Sequence, residues 1–332
     1  MSVTPLPAPQ DRGAALAVWS GLLLIDKPAG LTSHDAVEKV RRRMRAKGAG
    51  HLGTLDPGAT GLLVVAMGAA TRCATVWQGG DKLYEATLRL GVSTTTQDLH
   101  GEVVARREVH VTEAELLEAA GTFVGTIEQV PPMVSALKVG GQRLHRLARR
   151  GEVVERAPRT IRVESWEWLS ITLPDATFRV RCSGGTYVRT LVHDLGERLG
   201  CGAALASLRR LRSEPFGVER AIPLRALDGS TPEAAREAAG VPLDEALAVL
   251  PAVTLDEEQA RELGYGRKPS VDPKGAPIGA GPRSVVMVGP PPGDDLPRSL
   301  ALGELVPDPA DPDRALACPH TVFPWAVREN RL

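Results

Sequence analysis

The chain of 332 residues lacks a net charge, because 40 basic and 40 acidic residues cancel. Global charge therefore selects no partner. Cysteine is scarce, and the four present (Cys73, Cys182, Cys201, Cys318) are far apart with no C-x-x-C pair. That excludes a zinc site and a disulfide framework and points to a reducing, cytoplasmic compartment. No apolar stretch reaches the roughly 18 residues of a membrane span, so no membrane partner is expected. The N-terminus "MSVTPLPAPQDRGAALAVWS" has no basic segment before its short apolar run. It reads as a disordered leader over residues 1–19 and not as a signal peptide. There is no internal repeat, no metal-ligand cluster and no nucleotide-binding loop, so no cofactor and no metal are expected.

What the chain does have is locally concentrated charge. Residues 138–162 carry eight basic side chains against Glu152 and Glu155, and residues 39–47 carry six with no acid among them. Such runs offer a polyanion a cationic face, although either could be a solvated helix surface. The length allows one large or two ordinary domains with a sizeable core. Composition shifts near residue 250: fourteen of the 27 prolines fall in the last 82 residues. Long helices are disfavoured there, so a catalytic domain is expected over 20–250 and a small β-rich domain over 251–332.

Within the first region "GLLLIDKPAG" reads as a buried-type strand ending in a turn. Thr32 and Asp35 have capping-box spacing ahead of a Val37, Val40, Met44 stripe, which predicts a helix closed near Gly48. "LYEATLRLG" alternates as a strand with Tyr84, Ala86, Leu88 and Leu90 on one face. Helices are expected over 112–120, 141–150 and 187–199, the last with Gly200 beyond it. Residues 160–182 alternate, with a turn at Pro174-Asp175. Strands and helices without regular βαβ alternation give an α+β fold, not a doubly wound one.

Four islands carry the candidate chemistry: "HLGTLDPGATG" (51–61), "DKLYEATLRLG" (81–91), "CSGGTYVRTL" (182–191) and "ASLRRLR" (206–212). Asp56 is a lone acid between a glycine-spaced turn and a run of aliphatics. Its Asp-Pro-Gly context is ordinary turn chemistry taken alone. Tyr84 on an apolar strand face could be a core tyrosine with a wet hydroxyl, and His51 could bond loop backbone. Arg189 falls in the first turn of a helix, where a cation opposes the macrodipole by roughly 0.3–1 kcal/mol. It needs an anionic partner, and a buried carboxylate is the obvious one.

These motifs resemble those of the TruB-type tRNA pseudouridine synthases: Asp56 in G-T-L-D-P-x-A-x-G, Tyr84 in D-K-x-Y-x-A, and Arg189 in C-S-x-G-T-Y-x-R. "IDKPAGLTSHD", "LGVSTTTQDLHGEV" and "QVPPMVSALKVGGQRLHRLARRG" are similar to further family segments in the same order, over about residues 21–217. One position departs, His145, where the family pattern L-Y-x-x-A-R has tyrosine. The end of the chain, "LALGEL" to "HTVFPWA", more weakly resembles a PUA RNA-binding domain.

The resemblance implies a pseudouridine synthase fold, with a mixed, mainly antiparallel sheet flanked by helices. It implies isomerisation of uridine to pseudouridine at position 55 in the T loop of tRNA. The reaction breaks a nitrogen–carbon glycosidic bond, turns the uracil and joins carbon to carbon. A nucleophile must hold the sugar or the base meanwhile, and a carboxylate can do so reversibly. Asp56 is that candidate, Arg189 would keep it ionised and oriented, and Tyr84 would stack on uracil and help remove the proton from carbon 5. The stacked base must be flipped out; the resemblance assigns His51 to the gap and Tyr187 and Leu208 to the uracil pocket, with Lys27 as a backbone or loop contact. The basic segments, with Arg209, Arg210 and Arg212, would grip phosphates without reading bases. The expected partner is tRNA through its T arm, bound by a monomer. An RNA-binding or tRNA-folding module without catalysis leaves the Asp56–Tyr84–Arg189 set unexplained. A glycosidase-type hydrolase needs two acids flanking one bond, and the islands supply one.

Overall fold

The structure, a computed structural model, describes residues 19–135, 138–139, 142–143, 150, 154–290 and 297–327. Two aliphatic strands form its centre, β1 (Gly21–Lys27) and β3 (Thr60–Met67), paired antiparallel from Gly21↔Met67 to Lys27↔Gly61. Their near-continuous apolar runs fit burial on both faces. Helix α1 (Ser33–Arg43) packs on β3, and the short helices over 232–247 pack on β1. The capping box is present at the start of α1: the Thr32 side chain accepts from the Asp35 N–H, and the Asp35 carboxylate accepts from the Thr32 N–H. Strand β2 (Ala49–His51) adds to β3.

The sheet extends through β4 (Lys82–Leu90), β5 (Gly125–Gln129), β6 (Arg159–Thr172), β7 (Asp175–Cys182), β8 (Ala203–Ser213) and β9 (Ile222–Pro223). The spatial order is β9-β1-β3-β8-β4-β7-β6-β5, with three further strands paired off this path, eleven in all. β9 with β1 and β8 with β3 are parallel; the rest of the path is antiparallel. The α+β class, with a mixed and mainly antiparallel sheet, is as expected. Helices α2 (Glu113–Gly121) and α3 (Val188–Arg198) agree closely with the expected spans.

Tyr84, Ala86, Leu88 and Leu90 of β4 are buried. The opposite face carries paired charges: Arg179 with Glu85 at 3.1 Å and Arg89 with Asp175 at 2.7 Å across adjacent strands, and Arg209 of β8 with Asp26 of β1 at 2.7 Å over the intervening β3. Opposite charges directly across a sheet each stabilise it by about 0.2–1 kcal/mol, and here they make the face locally neutral.

Two expectations need restating. Of the helix expected over 141–150, residues 142–143 instead pair as a strand with 138–139. The rest of that span apart from residue 150, including His145, lies outside the described residues, as does the expected leader up to residue 18.

Beyond residue 250 a second, five-stranded sheet forms from β10 (Ala252–Thr254), β11 (Ser270–Val271), β12 (Val285–Val288), β13 (Ser299–Pro307) and β14 (Ala315–Val322), ordered β10-β12-β13-β14-β11. Asp244 joins it to the first sheet. One carboxylate oxygen accepts from the Ser299 N–H at 2.9 Å and hydroxyl at 2.5 Å, the other from the Arg298 N–H at 2.8 Å. The Trp325 indole N–H donates to the Ser299 carbonyl at 2.8 Å. Asp244→Ala strands these donors beside a buried Ser299. The expected loss is about 1–3 kcal/mol, read as a lower melting temperature and earlier proteolytic release of the C-terminal part. An unchanged digestion pattern would contradict this account of the joint.

Candidate active site

Asp56 sits in the loop between β2 and β3, and side chains from three elements pin that loop. Lys27, the last residue of β1, is fully buried, and its ammonium donates to the carbonyls of Leu31 at 2.7 Å, Pro28 at 2.9 Å and Pro57 at 3.4 Å. Ser33, the first residue of α1, donates its hydroxyl to the Leu55 carbonyl at 2.9 Å and accepts the Leu55 N–H at 2.8 Å. Arg210 of β8 is buried and donates to the carbonyls of Leu62 at 2.7 Å and Gly53 at 3.1 Å. Gly61, with φ +95°, lets the loop join β3 against the Arg210 backbone, where a Cβ would collide. Leu55 and Ala59 are buried on either side of Asp56.

Arg189 is the second residue of α3, and its guanidinium meets the Asp56 carboxylate with two donors, Nε to Oδ2 at 2.8 Å and Nη2 to Oδ1 at 3.2 Å. It also donates to the carbonyls of Thr96 at 2.7 Å and Val134 at 2.9 Å, and its Nη1 lies 3.9 Å from the Asp98 carboxylate. The ion pair expected for a cation at a helix start is there, but the burial is the reverse of the expected one. The Arg189 side chain is 4 % exposed and that of Asp56 38 %. The aliphatic neighbours do not dry the carboxylate. Leu55 and Ala59 turn inward, while Asp56 stays partly exposed between the exposed Thr54 and Pro57.

It opens onto two hollows. One, of about 410 Å³, is lined by residues including Pro57, Gly58, Thr96, Asp98, His100 and Val134. The other, of about 230 Å³, is lined by residues including Lys82, Tyr84, Ser135, Tyr187 and Arg210. Asp56, Arg189 and Leu208 border both. Tyr84 is 8 % exposed, and burial pushes its phenol upward, opposed in part by the adjoining Arg210 cation. Burial likewise raises Tyr187, with Ser135 hydrogen bonding opposing it. The Tyr84 hydroxyl is therefore neutral at ordinary pH. Burial, with the nearby Arg210 cation, lowers the Lys82 ammonium to about 8, although it donates to the carbonyls of Gly80 and Gln78. His51 ends β2 opposite Val65, outside the lining of either hollow.

Several of the residues expected to grip phosphates hold protein partners in this structure. Arg210 pins the loop. Arg209 pairs with Asp26, and Arg212 with Glu214 at 3.2 Å. Lys39 and Arg43 both reach Asp228, and Arg41 reaches Glu38. Lys27, expected to contact substrate, is a loop clamp with no exposed surface. Thr96, Asp98 and Val134 lie in the segments "LGVSTTTQDLHGEV" and "QVPPMVSA", but Thr96 and Val134 act through backbone carbonyls, for which residue type carries no signal.

Comparison with known proteins fits this geometry. The model for the N-terminal domain of the TruB family pseudouridylate synthases matches residues 41–188, and that for the tRNA pseudouridylate synthase B C-terminal domain matches 189–251. The tRNA pseudouridine synthase B of Burkholderia mallei (strain ATCC 23344) is 48 % identical over 261 residues, 79 % of this chain and 83 % of that protein. The chain belongs to the TruB family of pseudouridylate synthases. The Syntrophotalea carbinolica tRNA pseudouridine synthase B is 44 % identical over 254 residues, 76 % of this chain and 83 % of that protein. A chain from the crystal structure of a Cbf5-Nop10-Gar1 complex superposes with a TM-score of 0.68 at 27 % identity, over 96 % of this chain and 91 % of that one. This TruB-family chain is thus an enzyme of the pseudouridine synthase class with the pseudouridine synthase fold. Among the described residues no helix is long and apolar enough to cross a membrane.

The loop clamp makes a pH prediction. Burial lowers Lys27 from the ordinary 10.5 to about 8. Between those values the folded chain holds fewer protons at this site than the unfolded chain, so through this group stability rises with pH in that window. Lys27→Met cannot titrate. Denaturant melts should show the wild type gaining stability relative to Lys27→Met from about pH 7.5 to about pH 10. A pH-independent difference would mean that the ammonium is not desolvated.

Proposed function

We propose that this enzyme isomerises uridine to pseudouridine at position 55 in the T loop of tRNA, with Asp56 as the nucleophile. The observation that carries the proposal is the two-donor Arg189–Asp56 pair, with its cation buried and its carboxylate open to two hollows. The relatives named tRNA pseudouridine synthase B support tRNA as the substrate, and the motif set supports the T loop.

Asp56 attacks and holds the sugar or the base while the glycosidic bond is broken and the uracil turns. Arg189 fixes the direction of the carboxylate through its two donors. The uracil, flipped out of the T loop, stacks on Tyr84 in the hollow that Tyr187 and Leu208 also line, and His51 fills the gap left in the RNA. Carbon 5 loses a proton as it joins the sugar and the ring nitrogen freed from the sugar gains one, so the isomerisation balances; the Tyr84 hydroxyl, with Arg210 beside it, assists that transfer. Residues 20–250 form the catalytic domain, and 251–332 a PUA-like domain that adds contacts to the body of the tRNA. One monomer binds one T arm.

The test is incubation of the purified chain with an unmodified T-arm hairpin and an unmodified tRNA transcript, followed by mapping of pseudouridine. Product is expected at position 55. Asp56→Asn should give none yet retain tRNA binding, because phosphate contacts dominate affinity. Arg189→Lys, which keeps the charge and loses the planar fork, should keep partial activity. Turnover by a clean Asp56→Asn preparation would remove Asp56 as nucleophile; product at another uridine would overturn the position assigned.

A further inference from the structure

The first turn of α3 and its boundary carry Tyr187, Arg189 and Thr190, and two glutamines from other elements hold it. Gln129, the last residue of β5, is 2 % exposed and binds the Tyr187 backbone twice. Its Oε1 accepts from the Tyr187 N–H at 2.8 Å, and its Nε2 donates to the Tyr187 carbonyl at 3.1 Å. Tyr187 precedes the helix without a side-chain cap of its own. The Gln129 amide therefore supplies from outside an anchor at a helix start that a capping side chain ordinarily gives.

Gln97 lies in the loop that follows Thr94, with φ +65°. A non-glycine residue enters that left-handed region at a cost on the order of 1–2 kcal/mol. Glycine would avoid the cost but would leave the buried Thr190 hydroxyl, which donates to the Gln97 Oε1 at 2.8 Å, without its acceptor. The Gln97 carbonyl also accepts from the Leu205 N–H at 3.0 Å, and the residue before it supplies the Thr96 carbonyl that receives Arg189 at 2.7 Å. Strain at this one position thus serves a loop that touches Arg189 directly through Thr96 and its helix through Thr190. Neither glutamine lines either hollow.

We propose that Gln97 and Gln129 are positioning residues that hold the Arg189 guanidinium in register with Asp56, Gln129 through Tyr187 and Gln97 through Thr190 and the Thr96 carbonyl. The inference rests on the reading of the Asp56–Arg189 pair as catalytic. A displacement of the order of 1 Å at a reacting group costs about a hundredfold in rate, so the loss should fall on kcat and leave RNA affinity alone.

The experiment measures kcat, KM and melting temperature with an unmodified tRNA transcript for Gln129→Leu, Gln129→Glu, Gln97→Leu, Gln97→Glu, Thr190→Val and the Gln97→Leu/Thr190→Val double variant. Both leucine variants should lose about 10- to 100-fold in kcat with KM within about threefold of wild type. Gln97→Glu keeps an acceptor for Thr190 and should stay near wild type. Gln129→Glu cannot donate to the Tyr187 carbonyl and should lose kcat. The double variant should be no worse than the poorer single one, because both remove one interaction. Full kcat in the leucine variants, an effect on KM alone, or additive losses in the double variant would each overturn the proposal. Where a leucine variant melts too low to assay, equal kcat in both glutamate variants overturns it. Asp56→Asn in the same series separates the two levels: inactive Asp56→Asn beside fully active leucine variants sinks the clamp alone, and active Asp56→Asn sinks the reading beneath it.

Discussion

A guanidinium with 4 % of its side chain exposed must find acceptors inside the protein, and around Arg189 the rest of the site is arranged to supply them. Both Asp56 oxygens and the carbonyls of Thr96 and Val134 surround it. An unpaired buried cation would be far costlier than any of these bonds is favourable. Three loops distant in sequence are therefore drawn to one point on the first turn of α3. The helix macrodipole opposes a cation at that position by a fraction of a kcal/mol, and a two-donor bond to a carboxylate readily offsets it.

The same economy governs the other charges. Arg210 and Lys27 spend their donors on loop carbonyls, which makes the Asp56 loop a rigid mount. On the far side of the sheet, arginines and acids pair strand to strand, as in Arg179 with Glu85. Exposed pairs of this kind contribute only about 0–1 kcal/mol each.

Periodicity made most of the scaffold legible. The Thr32–Asp35 capping box, the alternation of β4 and the stripe of α3 each specify burial through side-chain type, and each appears where expected. The pairing of Arg189 with Asp56 was legible because a cation at a helix start calls for an anion, and both residue types carry that charge in their identity. Backbone groups have no such identity, so the carbonyls of Thr96 and Val134 could not be read. Nor could the fate of the basic residues: Arg209 and Arg210 are adjacent and alike in sequence, yet strand alternation puts one on the paired face and the other into the buried side of the loop. Local spacing could not separate the short pairing at 138–139 and 142–143 from a helical turn, because two-residue strands leave almost no period to detect.

On the proposed reading of Asp56 as the nucleophile, the reversal of burial in the ion pair has a purpose. A carboxylate buried beside its arginine would be firmly held and out of reach, and desolvation would favour its neutral form. Burying the cation instead leaves the acid at the junction of two hollows, where a reacting atom can approach. Its direction is still fixed by a partner that cannot move, because that partner is itself tied to two carbonyls. The hydrophobic run after Asp56 serves this arrangement indirectly. It anchors β3 in the core, and the loop is held from outside by Lys27 of β1, Ser33 of α1 and Arg210 of β8.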